Sequence, residues 1–182
     1  MTIKELEKKI TADVAVELAD EFDRNFERKA FFTEKWPTTK INNSKGSLLS
    51  RTGNLRRSIK YSISDGMIKF SSSLPYASIH NQGGTITVTA KMKSYFWAMY
   101  YKAMGGITTK KDGSQSKSKK NVNLSTEAEK WKGLALMKIG HKIKVEKRQI
   151  IGGHPEVTKV VKGVVESNVK KFSEELMAQF KR

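Results

Sequence analysis

Apolar positions at helical spacing open the chain. Ile3, Leu6, Ile10, Val14, Leu18, Phe22 and Phe26 recur every three or four residues, and Thr2 with Glu5 supplies a capping box ahead of them. The pattern predicts one long amphipathic helix over about residues 3–30, ended before Trp36-Pro37 because the residue preceding a proline resists helix. The far end repeats the theme. His154-Pro155-Glu156 opens a second helix with proline in its first turn, and Val157, Val161, Val164, Val165, Phe172, Leu176 and Phe180 form its apolar stripe.

Between the helices the period changes to two. Asp65-Gly66 is a type I′ turn signal, and a two-residue loop there pairs Ser64 with Met67, Ile63 with Ile68 and Tyr61 with Phe70. That register puts Ile59, Tyr61, Ile63, Ile68 and Phe70 on one face. Residues 85–89 alternate around Ile86 and Val88, and residues 142–148 around Ile143 and Val145, so both read as further strands of the same sheet. Residues 90–104 carry Met92, Phe96, Trp97, Tyr100 and Met104 at helical spacing, a stripe that serves either as core or as a surface offered to a partner. Residues 125–139 form another helix, with Trp131, Leu134, Leu136 and Met137 on its surface. The predicted architecture is α+β. An antiparallel sheet of about four strands packs with long N- and C-terminal helices in a single domain, 1–182, that carries a helical and flexible insertion at about 90–140.

Composition narrows the function. The chain has 182 residues, 37% of them apolar and 29% charged, with 35 Lys and Arg against 18 Asp and Glu. The resulting +17 predicts affinity for polyanions at low salt. The charge is uneven: residues 1–30 sum to −2, residues 31–60 to +6 and residues 91–124 to +7. The Gly-, Ser- and Lys-rich run over 105–123 reads as a mobile loop, because no large apolar residue after Ile107 would tie it to a core. Lys110, Lys111, Lys117, Lys119 and Lys120 on it are candidate contacts to DNA or to a partner.

The absence of cysteine excludes disulfides, thiolate catalysis and zinc ribbons. His80, His141 and His154 are widely separated, so no metal site is expected. There is no GxSxG elbow, phosphate-cradling glycine loop or HExxH helix; no catalytic residue and no cofactor is assigned. No apolar run reaches membrane-span length, and the start MTIKELEKK does not read as a signal peptide. His80 reads as a structural histidine hydrogen-bonded to backbone. Arg56 and Arg57 either grip an anionic group or line a solvated strand entrance.

Four segments carry a resemblance: NFERKAFFTEKWP, with Asn25, Phe26, Trp36 and Pro37; LLSRTGNLRRSI, with Leu49, Thr52, Gly53, Leu55, Arg56, Ser58 and Ile59; PYASIHNQGGTI, with Tyr76, Ala77, Ile79, His80, Gln82, Gly83 and Gly84; and VEKRQIIG, with Val145, Arg148, Ile151 and Gly152. In this order they resemble the phage virion morphogenesis family, the Mu G-like tail-completion and head–tail neck proteins, over residues 20–87 and 143–180. Glu146 and Gln149 depart from the family's prolines, so the last strand is expected to end differently.

The resemblance implies a structural protein at the head–tail junction or tail end, present in the host cytoplasm during assembly. It would act as a homo-oligomeric ring, commonly a hexamer, against other neck or tail proteins, with no membrane, cofactor or catalysis. It also implies structural or interface roles for motif residues. Thr52 and Gly53 would form a tight entry to the first strand, and Trp36, Leu55 and Arg56 are further motif residues with structural or interface roles. Tyr76 and His80 would pin the turn after the hairpin, Gly83 and Gly84 would reverse the chain, and Arg148 would set an interface or a buried pair near Gly152. The rival readings are a sequence-independent nucleic-acid-binding protein, with a non-specific DNA contact, and an enzyme without a recognisable motif.

Overall fold

The computed structural model describes residues 2–38 and 48–180, whose backbone gathers into two compact units. The first combines residues 2–38, 48–83 and 146–180; the second is the continuous stretch 84–145.

In the first unit, α1 (Ile3–Arg28) begins with both arms of the expected capping box. The Glu5 N–H donates to Thr2 Oγ1, and the Thr2 N–H donates to the Glu5 carboxylate. The helix stops where Lys29 turns left-handed at φ 53°. A two-residue strand β1 (Ala30–Phe31) then doubles back on β2 (Glu34–Lys35). Asn25, fully buried on the last turn of α1, accepts the Phe32 N–H at 2.8 Å and so fixes where the chain reverses.

A short helix α2 (Asn54–Ser58) leads into the hairpin of β3 (Ile59–Ser64) and β4 (Met67–Ser72). The hairpin has the register read from its turn: Tyr61 faces Phe70, Ile63 faces Ile68 and Ser64 faces Met67. Asp65 and Gly66 have φ of 50° and 74°, the positive pair that a type I′ turn requires. Helix α3 (Ala77–Gln82) follows.

The core forms where α1 meets this hairpin and the last helix of the chain. Val14, Leu18 and Phe22 are buried with Phe31 and Phe32. Ile68 and Phe70 of the hairpin pack against them, as do Val157, Val160, Val161 and Val164. Phe22 stands edge-on to Phe70 with ring centroids 4.9 Å apart. Truncating a phenylalanine so enclosed costs about 3–5 kcal/mol.

The second unit contains β5 (Gly84–Thr87), α4 (Ala90–Gly105), α5 (Lys119–Leu136) and β6 (Lys142–Val145). Helices α4 and α5 pack through buried Phe96, Ala103, Ala128 and Ala135, with Trp131 stacked on Phe96 and edge-on to Tyr95. The alanines let the two backbones come close. The aromatic stripe is divided: Phe96 is buried, Trp97 and Tyr100 are half-buried, and Met104 is exposed, as are Tyr95 and Tyr101. The chain then re-enters the first unit and ends in α6 (Pro155–Phe180), with Pro155 at its first position as expected.

The α+β class and the long terminal helices hold, and among the described residues the single sheet of about four strands is replaced by three separate two-stranded antiparallel ladders. β5 pairs with β6, setting Ile86 opposite Ile143, and neither strand joins the β3–β4 hairpin. The physical reason is burial. All four residues of β5 are exposed, so no apolar face exists to extend a sheet. β6 ends at Val145 rather than at residue 148.

The insertion also differs from its sequence reading. α5 begins at Lys119, six residues before the expected start, because Ser118 caps it by accepting the Asn121 N–H at 3.2 Å. Lys119, Lys120 and Asn121 are therefore helical, and the loop shortens to residues 107–118. That loop is tied down. Thr109 bridges Gln115, and the buried Asn121 accepts the Thr108 N–H while donating to the carbonyls of Thr108 and Ser116 at 2.7 and 2.8 Å.

Candidate functional site

The motif residues from four distant segments of the sequence meet at one place in the first unit. Trp36 follows the turn after α1, and its indole N–H donates to the Gln149 carbonyl at 2.7 Å. Its ring packs edge-on to Phe26 in a cluster with Leu55, Ala77 and Ile150, all buried. Segment 148–151, which has no regular structure of its own, is held from both sides by hydrogen bonds.

Arg148 supplies one side. It is buried, its backbone N–H donates to the His80 carbonyl at 2.8 Å, and its guanidinium donates to the carbonyls of Pro37 and Thr38. The guanidinium is thus held by backbone oxygens just after Trp36. Asn81 supplies the other side, its side-chain oxygen accepting the N–H groups of Ile150 and Ile151 at 2.7 and 3.0 Å. Extended backbone carries N–H groups that no ladder satisfies here, and the asparagine satisfies two of them at once.

Tyr76 caps α3, and its ring stands edge-on to His80 at 6.1 Å. The histidine is not hydrogen-bonded to backbone as expected at Nδ1, which is buried without a partner among the described residues. Burial, and then the nearby Arg148 charge, hold its pKa below the ordinary imidazole value. A neutral ring suits that setting, and its carbonyl does the structural work.

Gly83 closes α3 at φ 74°, and a Cβ there would lie 2.9 Å from the Lys147 backbone nitrogen. Only glycine fits that approach. Gly84 opens β5, and Gly152, at φ 132°, precedes α6. Gly53 also has positive φ, yet it opens α2 rather than the strand itself. Thr52 Oγ1 accepts the Asn54 N–H at 3.4 Å beside it.

Arg56 resolves the choice left open by the sequence. Its guanidinium pairs with both carboxylate oxygens of Asp23 and with Glu27 at 2.8 Å, joining α2 to α1 and raising its own pKa further. Arg57 turns back to the Thr52 carbonyl and the Asn54 side chain.

The five lysines lie elsewhere, in the second unit. Lys110 and Lys111 sit at the tip of the closed loop, Lys117 at its base, and Lys119 and Lys120 in the first turn of α5. All five are exposed.

The model of the phage virion morphogenesis family matches residues 4–170. The chain belongs to that family. No curated protein and no solved structure matches it. The family match runs through α1, the Trp36–Arg148 hub, the whole second unit and most of α6, so the hub is where the resembling segments of this family member converge. Among the described residues no three acidic or histidine side chains come together to hold a metal ion, and no helix is long and apolar enough to cross a membrane.

The sequence reading named Asn25 only as part of the resemblance, without its bond to the Phe32 N–H, and missed Asn81 and Asn121. Asn25 left a signal, being a polar residue at a core-facing position between Phe22 and Phe26. Asn81 and Asn121 left none, because what they bond lies far along the chain or in a loop read as unattached.

Proposed function

We propose that this protein is a non-catalytic structural part of a phage or prophage virion that completes the tail or joins it to the head, as a ring of identical copies at the head–tail junction or tail end. Membership of the virion morphogenesis family carries this reading. The chemistry of the site is consistent with it: Trp36, Asn81 and Arg148 spend their side-chain polar groups on backbone, which builds a scaffold rather than a reactive centre.

The β3–β4 hairpin supports the ring. Among the described residues its two strands pair only with each other, and Tyr61 and Ile63 remain 42% and 43% exposed on its apolar face. Unpaired edges beside apolar side chains are what a neighbouring copy covers in a repeated head-to-tail contact. The hub fixes the hairpin's base, since Leu55 and Ile59 pack against Trp36 and Ile150.

Quantitative mass spectrometry of purified virions, paired with electron microscopy of the neck and tail end, tests the reading. The expected result is this chain at a fixed small multiple of copies per particle, in a ring. A virion that lacks the polypeptide would overturn it.

A further inference from the structure

The second unit concentrates charge beyond what solubility needs. Residues 84–145 hold thirteen lysines, no arginine and three carboxylates, Asp112, Glu127 and Glu129. Five of the lysines cluster on and beside the loop of residues 107–118, and none of those five has a carboxylate within ion-pair distance among the described residues. Asp112, the one acidic residue of the loop, is exposed and accepts from the N–H and hydroxyl of Ser114.

The loop is a formed finger. The Lys110 N–H donates to the Ser114 carbonyl, the Gly113 N–H to the Lys110 carbonyl and the Ser116 N–H to the Thr108 carbonyl, while Asn121 ties the base to α5. Its lysines are thus presented from a fixed platform, and less ordering entropy is lost when they engage a partner.

We infer that this finger binds the phosphate backbone of duplex DNA without regard to sequence. Three observations choose that partner. Protein interfaces are depleted in lysine and centred on apolar or aromatic anchors, whereas residues 108–120 hold none. Single-strand binders stack bases on aromatic rings, and the finger offers none. Base-edge readout favours arginine forks, while lysine neutralises phosphate as a point charge and brings Ser, Thr and Gln as companions, the composition seen here. Binding by one copy needs no ring, so the inference stands or falls apart from the assembly reading.

The test is fluorescence anisotropy of the full-length protein with labelled 30-base-pair duplexes of two unrelated sequences, titrated over roughly 50–200 mM salt. A variant replacing Lys110, Lys111, Lys117, Lys119 and Lys120 with Gln runs in parallel, after its thermal midpoint has been matched to the parent. The expected result is equal affinity for both duplexes. The variant should bind more than about tenfold more weakly at low salt, with a log–log salt slope shallower by about 4. Unchanged affinity or slope in the variant, or no duplex binding at about 50 mM salt, overturns the inference. Tighter binding of a single strand of equal length overturns the choice of duplex. Displacement of the duplex by polyglutamate as effectively as by unlabelled DNA overturns it in favour of an acidic protein.

Discussion

The indole N–H of Trp36 reaches the carbonyl of Gln149 across 113 residues of sequence, at 2.7 Å. That one bond joins the turn after the first helix to the segment that feeds the last one. Trp36→Phe keeps an aromatic ring against Phe26 while removing the donor and part of the buried ring. The variant should lose about 2–4 kcal/mol, read as a lower thermal midpoint, because the carbonyl loses its partner and a cavity replaces the missing ring atoms. An unchanged midpoint would mean that the bond does not hold the hub together.

Two glycines separate turn geometry from close approach. Gly66→Val should cost about 1 kcal/mol or more, since a β-branched residue resists the positive φ of a type I′ turn. Gly83→Ala should cost more, about 2–3 kcal/mol, because it combines positive φ with a Cβ 2.9 Å from the Lys147 nitrogen. Chemical denaturation of both variants ranks them, and the reverse order would contradict the backbone geometry at the hub.

His80 makes stability depend on pH in a defined direction. Its folded pKa is depressed, by burial first and by Arg148 second, so the unfolded chain binds the proton more readily. The stability it contributes is full above the unfolded value near 6.5 and is lost as pH falls through the folded pKa. Denaturation midpoints measured from pH 7.5 downward should therefore fall more steeply for the parent than for His80→Gln. Parallel curves would show that the imidazole is not held neutral.

Limited trypsin digestion reports on the finger. Lys110, Lys111 and Lys117 lie in the loop and should be cut first, while Lys119 and Lys120, within α5, should be spared. Asn121→Ala removes the loop's tether and should accelerate those cuts and extend them to Lys119 and Lys120. First cuts within α1 or α6 would mean that the packed part of the chain has been misassigned.

Local signals in the sequence were read well where the chain's own neighbours decide the structure. Asp65-Gly66 specifies the hairpin register because a two-residue turn leaves no slack, and Thr2 with Glu5 specifies where α1 starts. The resembling segments named Trp36, His80 and Arg148, although not that these residues would meet, with Asn81, in one hub. That geometry depends on hydrogen bonds between residues tens of positions apart, for which no spacing rule exists. The short helices α2 and α3 were invisible for a related reason: five or six residues carry too few turns to show a period. The finger was misread because composition sees lysine and glycine but not Asn121, whose four polar contacts offset the ordering of the loop.

Disrupting the gene in its phage and imaging the resulting particles by electron microscopy tests the central claim most directly. A structural role in completing the tail or joining it to the head predicts filled heads and tails that accumulate unjoined or with unfinished ends, and titre restored by the intact chain supplied in trans. Normal numbers of complete, infectious particles from the disrupted phage would contradict it.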